Sequence, residues 1–231
     1  MTLLSVVQDV CAVVGVLRPQ SVFSNITGNR TMQEMLVLAN EMAQRIAYDN
    51  RDWTRLLSFV TIDGDGVADR FNLPFDYKRM LLTTNVRRTS TPTSVMQFVP
   101  DLDQWIDRQA NNRVDAYGEW TIYGGQILTR PVLALGDKIN FAYLQKNCIS
   151  LASGGLGDSF MGDNDSFLLD ERVLKLGMIW QWKAQKGASY AEDLGTYGDA
   201  LGYAMGHDSP APIIIGRKVS SWGKVSAPWP S

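Results

Sequence analysis

Residues 163–208 read DNDSFLLDERVLKLGMIWQWKAQKGASYAEDLGTYGDALGYAMGHD, and this stretch decides the fold. Apolar residues recur at helical spacing on both sides of the pair Lys186 and Gly187. The first pattern predicts a helix over residues 170–186, and the second predicts a helix over residues 188–207. The stretch is therefore a two-helix segment that is unusually rich in Trp, Gly and Tyr.

The first of these helices carries two tryptophans that point in different directions. Trp180 shares a face with Val173 and Gly177, which we expect to be the core face. Trp182 lies about 200° away from Trp180 around the helix, so one core buries both only if the helix is covered on two sides. The alternative is that Trp182 meets a neighbouring subunit, where Trp is enriched among the residues that dominate binding.

The second helix carries a face of small residues. Ala191, Gly195, Gly198 and Gly202 follow one another at helical spacing. Each glycine inside a helix costs about 0.5–1 kcal/mol relative to Ala, which is understandable if another backbone packs closely there. The alternative is that the glycines mark fraying or a bend. The predicted subunit-interface residues are Ile179, Trp182, Tyr190, Tyr197 and Gly198.

The first 56 residues predict two further helices. One spans residues 2–14 and stops at Gly15. The other begins with a capping box formed by Thr31 and Glu34 and extends to about Trp53.

The middle of the chain has the signals of strands and turns. The clearest is a hairpin of residues 119–123 and 126–129, joined by two glycines. The other predicted elements are strands at 58–62, 81–86 and 138–144, a strand-like stretch at 70–73, a helical turn at 73–80 and a short helix at 101–109.

This order of elements predicts an α+β fold, in which an antiparallel helical bundle is interrupted by a β-rich insertion. The predicted divisions are 1–56 and 165–207 for the two halves of the bundle, 57–147 for the insertion, 148–164 for a loop and 208–231 for an extended arm.

Composition narrows the class of protein. The net charge of −2 and the pI of about 5.4 argue against a general nucleic-acid-binding protein. Cys11 and Cys148 form no CxxC pair, so we expect two buried thiols in a reducing compartment. No apolar run is long enough for a membrane span, and the first residues lack the order of a secretory signal. These features predict a soluble protein made in a cytoplasm.

Residues 209–231 read SPAPIIIGRKVSSWGKVSAPWPS and contain four prolines. Proline lacks an amide donor and fixes φ, which disfavours a helix or a central strand. The segment is nevertheless too apolar for a purely solvated linker, so we expect a docking arm that orders on a partner. The alternative is a tail folded back over its own domain. The predicted docking residues are Ile213, Ile214, Ile215, Arg217, Lys218, Trp222 and Trp229.

Three stretches together carry a resemblance to a known family. They are LPFDYKRM at 73–80, YGGQILTRPV at 123–132, and the long run from Asp165 to Leu201 within the stretch quoted above. In this order the chain resembles the head-to-tail adaptor proteins of tailed bacteriophages. The similar types are the tail accessory factor of P22-like short-tailed phages and, more distantly, tail tubular protein A of T7-like phages.

The resemblance implies a structural protein of the virion, located at the head–tail junction and made in the host cytoplasm. Twelve copies would form a ring under the portal protein, with residues 209–231 reaching onto the portal. The opposite side of the ring would receive a downstream tail or nozzle protein, and genomic DNA would pass through the central channel in non-specific contact. The helical pair 170–186 and 188–207 would carry much of the subunit packing, and no cofactor or membrane is implied.

The alternative function is a virion-associated peptidoglycan hydrolase. Glycoside hydrolysis needs two carboxylates across a cleft, and acids cluster at Asp158, Asp163, Asp165, Asp170 and Glu171. A loop that leads into a helix attracts acids for the helix dipole alone, so we do not expect an enzyme. His207 is the sole histidine, so a metal site built on His or a Cys/His dyad would depend on it.

Two further motifs have weaker functional interpretations. The DGDG turn at 63–66 lacks the further oxygen ligands of a calcium loop. Basic residues are scattered, with only isolated pairs such as Arg87-Arg88 and Arg217-Lys218, so specific DNA binding is not expected.

Overall fold

The computed structural model describes residues 1–24, 28–81 and 85–208, and the fold is α+β, as predicted. Within these residues the helices are α1 (Leu3–Val14), α2 (Arg30–Tyr48), α3 (Leu102–Ala110), α4 (Glu171–Gln185) and α5 (Ala191–His207). The strands are β1 (Leu57–Asp63), β2 (Arg70–Asn72), β3 (Tyr77–Met80), β4 (Arg87–Arg88), β5 (Gln97–Phe98), β6 (Glu119–Tyr123), β7 (Gln126–Arg130), β8 (Lys138–Gln145), β9 (Ile149–Ser150), β10 (Leu156–Gly157) and β11 (Ser166–Phe167).

Helix α1 has the predicted boundaries because both of its ends carry local signals. The Thr2 hydroxyl accepts the Ser5 N–H at the start of the helix. Gly15 ends the helix in the left-handed conformation, and its N–H donates to the carbonyl of Cys11.

Helix α2 begins and ends earlier than predicted. Asn29 is its N-cap, and its side-chain oxygen accepts the N–H groups of Thr31 at 3.1 Å and Met32 at 3.3 Å. Glu34 instead pairs with Arg30 at 2.8 Å, so the predicted capping box is wrong.

Trp53 lies beyond α2, at the start of the 3-10 turn Thr54–Leu56. Its indole N–H donates to the carbonyl of Ile46 at 2.7 Å, and the side chain is buried. The apolar periodicity that suggested a helix as far as Trp53 therefore reflects burial rather than a continuous helix.

Helix α4 is the central helix of the helical part, because it packs against α1, α2 and α5. The carboxylate of Asp170 caps its first turn. One apolar cluster joins these four helices, and its fully buried members include Leu3, Met35, Met42, Ile46 and Leu174. The antiparallel arrangement of the helices remains a prediction.

The strand region has a second apolar core of its own. One sheet has the order β1-β8-β3, with β4 also paired to β8, and the other has the order β2-β7-β6-β5. Both sheets contribute to one buried cluster of Val86, Met96, Trp120, Ile127, Leu133, Ile139, Phe141 and Tyr143. A small third sheet, β10-β9-β11, precedes α4.

The predicted hairpin is confirmed as β6 and β7. Gly124 and Gly125 both have positive φ, 59° and 76°, as a tight two-residue turn between antiparallel strands requires. The predicted helical turn at 73–80 is wrong, because Tyr77–Met80 forms β3 against β8. The strand predicted at 81–86 lies partly outside the described residues, and Leu81, Asn85 and Val86 are not in a strand.

Both ends of the strand region meet at the helical part. Leu57, the first residue of β1, is the cross-strand partner of Leu144 near the end of β8. This adjacency was expected of a segment inserted into another unit. The predicted domain boundaries themselves remain predictions. No helix in the described ranges is long and apolar enough to cross a membrane.

Candidate interaction surfaces

The structure reverses the predicted roles of the two tryptophans of α4. Trp182 is 6% exposed and belongs to the helical core, whereas Trp180 is only half-buried. Lys186 extends over the Trp182 ring, with its Nζ 4.6 Å from the ring centre, and binds Glu34 of α2 at 2.6 Å. Trp182 is therefore wrongly assigned to a subunit interface, because α4 is covered by several helices and can bury both of its sides.

Ile179 and Tyr197 are also buried, at 4% and 8% exposure, so their assignment to a subunit interface is wrong. Tyr197 lies between α5 and α4, with its ring 6.0 Å from that of Trp180. Burial raises the pKa of its hydroxyl. A Cβ added at Gly177 would lie 3.2 Å from Tyr197, so the missing side chain lets α5 approach α4.

The face of α5 that points away from the core consists largely of glycine. Gly195, Gly198, Gly202 and Gly206 lie within about 80° of one another around the helix. A Cβ added at any of them would have no neighbouring atom within 4 Å among the described residues. The helix runs without a break from Ala191 to His207, so the glycines do not mark a point where it ends.

Exposed tyrosines lie near the two ends of α5. Tyr190 is 41% exposed at the start of α5, and Tyr203 is 66% exposed in its last turns. Of the predicted interface residues, Tyr190 and Gly198 are thus on the surface. The opposite side of α5 faces the core through Tyr197, Ala200, Leu201 and Ala204.

The end of α5 is fixed to the segment that leads into β1. The Asp208 carboxylate accepts the Thr54 N–H at 2.7 Å and the Thr54 hydroxyl at 2.6 Å. The Arg51 guanidinium donates to the carbonyl of Met205. The residues predicted to dock on a partner follow Asp208 and lie outside the described residues: Ile213, Ile214, Ile215, Arg217, Lys218, Trp222 and Trp229.

The clustered acids mainly hold the loop that precedes α4. Asp165 is 3% exposed, and its carboxylate accepts three backbone N–H groups at 2.7–2.8 Å. Asp163 accepts the backbone N–H groups of Val22 and Phe23, and Asp170 caps α4. These carboxylates satisfy amides of their own chain, which accounts for their presence without catalysis.

Among the described residues, the remaining candidates for catalysis or metal binding do not lie together in one site. The described part of the chain contains no cluster of three or more His, Cys, Asp or Glu side chains that could hold a metal ion. Cys11 and Cys148 are buried free thiols, as predicted. Burial raises the pKa of both, and that of Cys148 to about 11, so thiolate formation is disfavoured. The His207 ring stacks on Tyr203 at the end of α5.

Two exposed apolar residues in adjoining loops were not predicted from the sequence. Val67 and Leu135 are each 83% exposed. The loops are held together by hydrogen bonds from the Gly64 N–H to the Asp137 carbonyl at 2.8 Å and from the Gly66 N–H to Leu133 at 3.0 Å. In the sequence, each of these two apolar residues lies directly beside a turn glycine. This position is the signal from which their exposure could have been predicted.

The two arginines of the basic pair Arg87-Arg88 make different contacts. Arg88 forms an ion pair with Asp137 at 2.7 Å, and its side chain is 11% exposed. Arg87 is exposed and donates to the carbonyl of Pro92. Only Arg87 is therefore free to offer its charge to another molecule.

Comparison of the sequence with models of known protein families and with curated proteins finds no match.

Proposed function

We propose that this chain is a head-to-tail adaptor of a tailed bacteriophage. In this proposal twelve copies form a ring that docks under the portal protein, joins the capsid to the tail and lines the DNA channel. The subunit acts as a structural protein of the virion and catalyses no reaction. Its partners are its own copies, the portal, a downstream tail or nozzle protein and, non-specifically, the DNA in transit.

The outward glycine face of α5 is the observation that carries this proposal. Four glycines in one helix cost about 2–4 kcal/mol relative to Ala, because each costs about 0.5–1 kcal/mol. At Gly177 the missing side chain makes room for Tyr197 within the same subunit. At Gly195, Gly198 and Gly202 a Cβ would have no neighbour within 4 Å among residues 1–24, 28–81 and 85–208, so no described part of the subunit gains from the missing side chains. A second subunit whose backbone packs on this face would gain from the missing side chains.

The sequence resemblance supports the same assignment. The stretches of sequence that carry the resemblance include the whole of α4 and the first part of α5. The engagement of Asp163, Asp165 and Asp170 by backbone amides supports the structural role over the hydrolase alternative.

The decisive experiment is mass measurement of the purified protein, alone and mixed with a portal protein. We expect a ring of about twelve copies, either alone or on the portal. The variant Gly198→Leu should reduce ring formation without unfolding the subunit, because an added Cβ has no neighbour within 4 Å in the described part of the chain.

Thr196→Leu is the matched control. Thr196 is exposed on the same helix but lies about 160° from Gly198, so this change should leave the ring intact. If the protein remains monomeric even with a portal present, the adaptor proposal is wrong. If both variants assemble equally well, the glycine face is not the subunit interface.

A further inference from the structure

Residues 101–117, which comprise α3 and the loop after it, contact the rest of the subunit along one side only. They connect β5 to β6, two neighbouring strands that pair in parallel. Within this segment only Leu102, Trp105 and Arg108 are shielded from solvent, and every other residue is exposed. The spacing of three places these side chains on one side of α3, the helix that packs against β6.

Trp105 is the apolar anchor of the segment. It is 4% exposed and is the one buried residue of α3, whereas its neighbour Ile106 is 54% exposed. The guanidinium carbon of Arg130 in β7 lies 5.8 Å from the centre of the Trp105 ring. A helix of nine residues is not stable by itself in water, so α3 depends on the burial of this side chain.

Arg108 supplies the polar contact of the segment. Its guanidinium donates to one carboxylate oxygen of Glu119 in β6 at 2.8 Å, and Arg130 donates to the other at 3.2 Å. The Glu119 side chain is fully buried. Among residues 1–24, 28–81 and 85–208, the segment makes backbone hydrogen bonds only within itself and with the adjoining Gly118.

Both ends of the segment join residues that are fixed to the sheet. The Val99 N–H donates to the Trp120 carbonyl at 3.0 Å, and the Val99 side chain is buried. The Gly118 carbonyl accepts the Gln97 N–H at 2.8 Å. Gly118 has φ of 87°, and a Cβ there would lie 3.0 Å from the Arg130 carbonyl oxygen, so glycine allows the chain to turn back into β6.

Separation of α3 from the sheet therefore breaks few contacts. The burial of Trp105 and the ion pair of Arg108 are lost together, because both side chains lie on one side of the same helix. Loss of one partner is costly for a carboxylate that stays buried. Here the same movement admits water to Glu119, and Arg130 remains beside it. Regions with so few buried contacts open at a lower free energy than the rest of a fold.

We propose that residues 101–117 form a strap that opens as one unit, turning at Val99 and Gly118, while the rest of the subunit stays folded. In the closed state Trp105 and Arg108 hold the strap on β6. In the open state the Trp105 ring and the Glu119 carboxylate are accessible to other molecules. The inference does not depend on the adaptor function, because it concerns a movement inside one subunit.

Hydrogen exchange of the full-length protein, followed by NMR at single amides, tests the proposal. The amides of Trp105 and Arg108 bond within α3 and report on the strap. The amide of Thr121 reports on the sheet, because Trp120 bonds to the β5 side and Thr121 therefore bonds to β7, opposite Leu128. We expect the two strap amides to exchange roughly 100-fold or more faster than Thr121. Equal rates with equal dependence on urea would overturn the proposal.

Two variants test what holds the strap closed. Trp105→Ala should speed exchange of the Arg108 amide by roughly tenfold or more and leave Thr121 unchanged. Arg108→Gln should speed exchange of the Trp105 amide as well as its own, because the strap opens as one unit. Acceleration confined to the altered turn would indicate fraying of α3 and would contradict the proposal. So would strap amides that neither variant changes.

Ile106→Ala and Arg113→Gln are the matched controls. Ile106 is exposed on α3, and Arg113 is an exposed arginine of the same segment. Neither change should speed exchange of the strap amides. If either control accelerates them as much as Trp105→Ala or Arg108→Gln does, the strap is not held by Trp105 and Arg108, and the proposal is wrong.

Discussion

Asp137 connects two parts of the strand region through one buried carboxylate. Its side chain is 5% exposed and accepts from Arg88 and from both the N–H and the hydroxyl of Ser90. Burial by itself would raise the pKa of this carboxyl, but the hydrogen bonds from Arg88 and Ser90 outweigh burial and hold the pKa below its ordinary value.

This carboxylate should make folding stability depend on acid pH. Because the pKa of Asp137 is lower in the folded than in the unfolded protein, its contribution is complete above the unfolded value of about 3.9. The contribution is lost as the pH falls through the lower folded value. Asp137→Asn should lower the free energy of unfolding by about 3 kcal/mol at neutral pH, because it leaves Arg88 buried without its partner.

Urea denaturation at pH 7 and pH 3 measures both effects. The loss caused by Asp137→Asn should be smaller at pH 3 than at pH 7. The control is Asp63→Asn, which removes an exposed pair with Lys138 and should cost at most about 1 kcal/mol. Equal losses from the two variants at pH 7 would contradict the role given to Asp137.

The two tryptophans of α4 should differ in stability when truncated. Trp182→Ala removes a buried aromatic side chain and should cost about 3–5 kcal/mol. Trp180→Ala should cost less, because Trp180 is only half-buried. Chemical denaturation of both variants gives the ranking, and a greater loss from Trp180→Ala would contradict the burial described here.

At the scale of the element, α5 uses its two faces differently. Its inner face packs so closely on α4 that a Cβ added at Gly177 would lie 3.2 Å from Tyr197. On its outer face, a Cβ added at any of the four glycines would have no neighbour within 4 Å among the described residues. The same substitution should therefore have opposite effects on the two helices.

Gly198→Ala should stabilise the isolated subunit by about 0.5–1 kcal/mol, because Ala has the higher helix propensity and its Cβ meets no atom of the described residues within 4 Å. Gly177→Ala should destabilise it, since the new Cβ would lie 2.5 Å from Met42 Cε and 3.2 Å from Tyr197. Thermal unfolding under conditions that keep the protein monomeric measures both. Destabilisation by Gly198→Ala would indicate that the outer face already packs within the subunit.

At the scale of the whole molecule, the adaptor proposal gives residues 209–231 the role of an arm that docks on the portal. A docked arm loses conformational entropy, but many arms on one ring bind together at high effective concentration.

Removal of residues 209–231 should leave a folded subunit that attaches more weakly to the portal. Limited proteolysis of the full-length protein should cut after Arg217 when the protein is free and spare this segment in the portal complex. Mass spectrometry of the fragments locates the cuts. Equal protection of residues 209–231 in both states would show that the segment packs on its own subunit, and the docking role would then be wrong.

The sequence by itself determined the features that depend on neighbouring residues. Helix α1 between Thr2 and Gly15, the start of α4 after Asp170 and the hairpin at Gly124 and Gly125 all follow from caps and turns. These signals act within a few residues, so no tertiary contact is needed to interpret them. The glycine face of α5 was likewise predictable, because it follows from helical spacing alone.

Only the tertiary structure decided the features that depend on distant partners. Residues 77–80 form a strand because β8, more than fifty residues later, pairs with them. Trp182 is buried because helices from both ends of the described chain cover α4, and periodicity cannot say how many sides of a helix are covered. The hydrogen bond from the Thr54 N–H to the Asp208 carboxylate joins positions that are remote in sequence. Such contacts are fixed by how the whole chain packs, and local residue patterns carry no information about them.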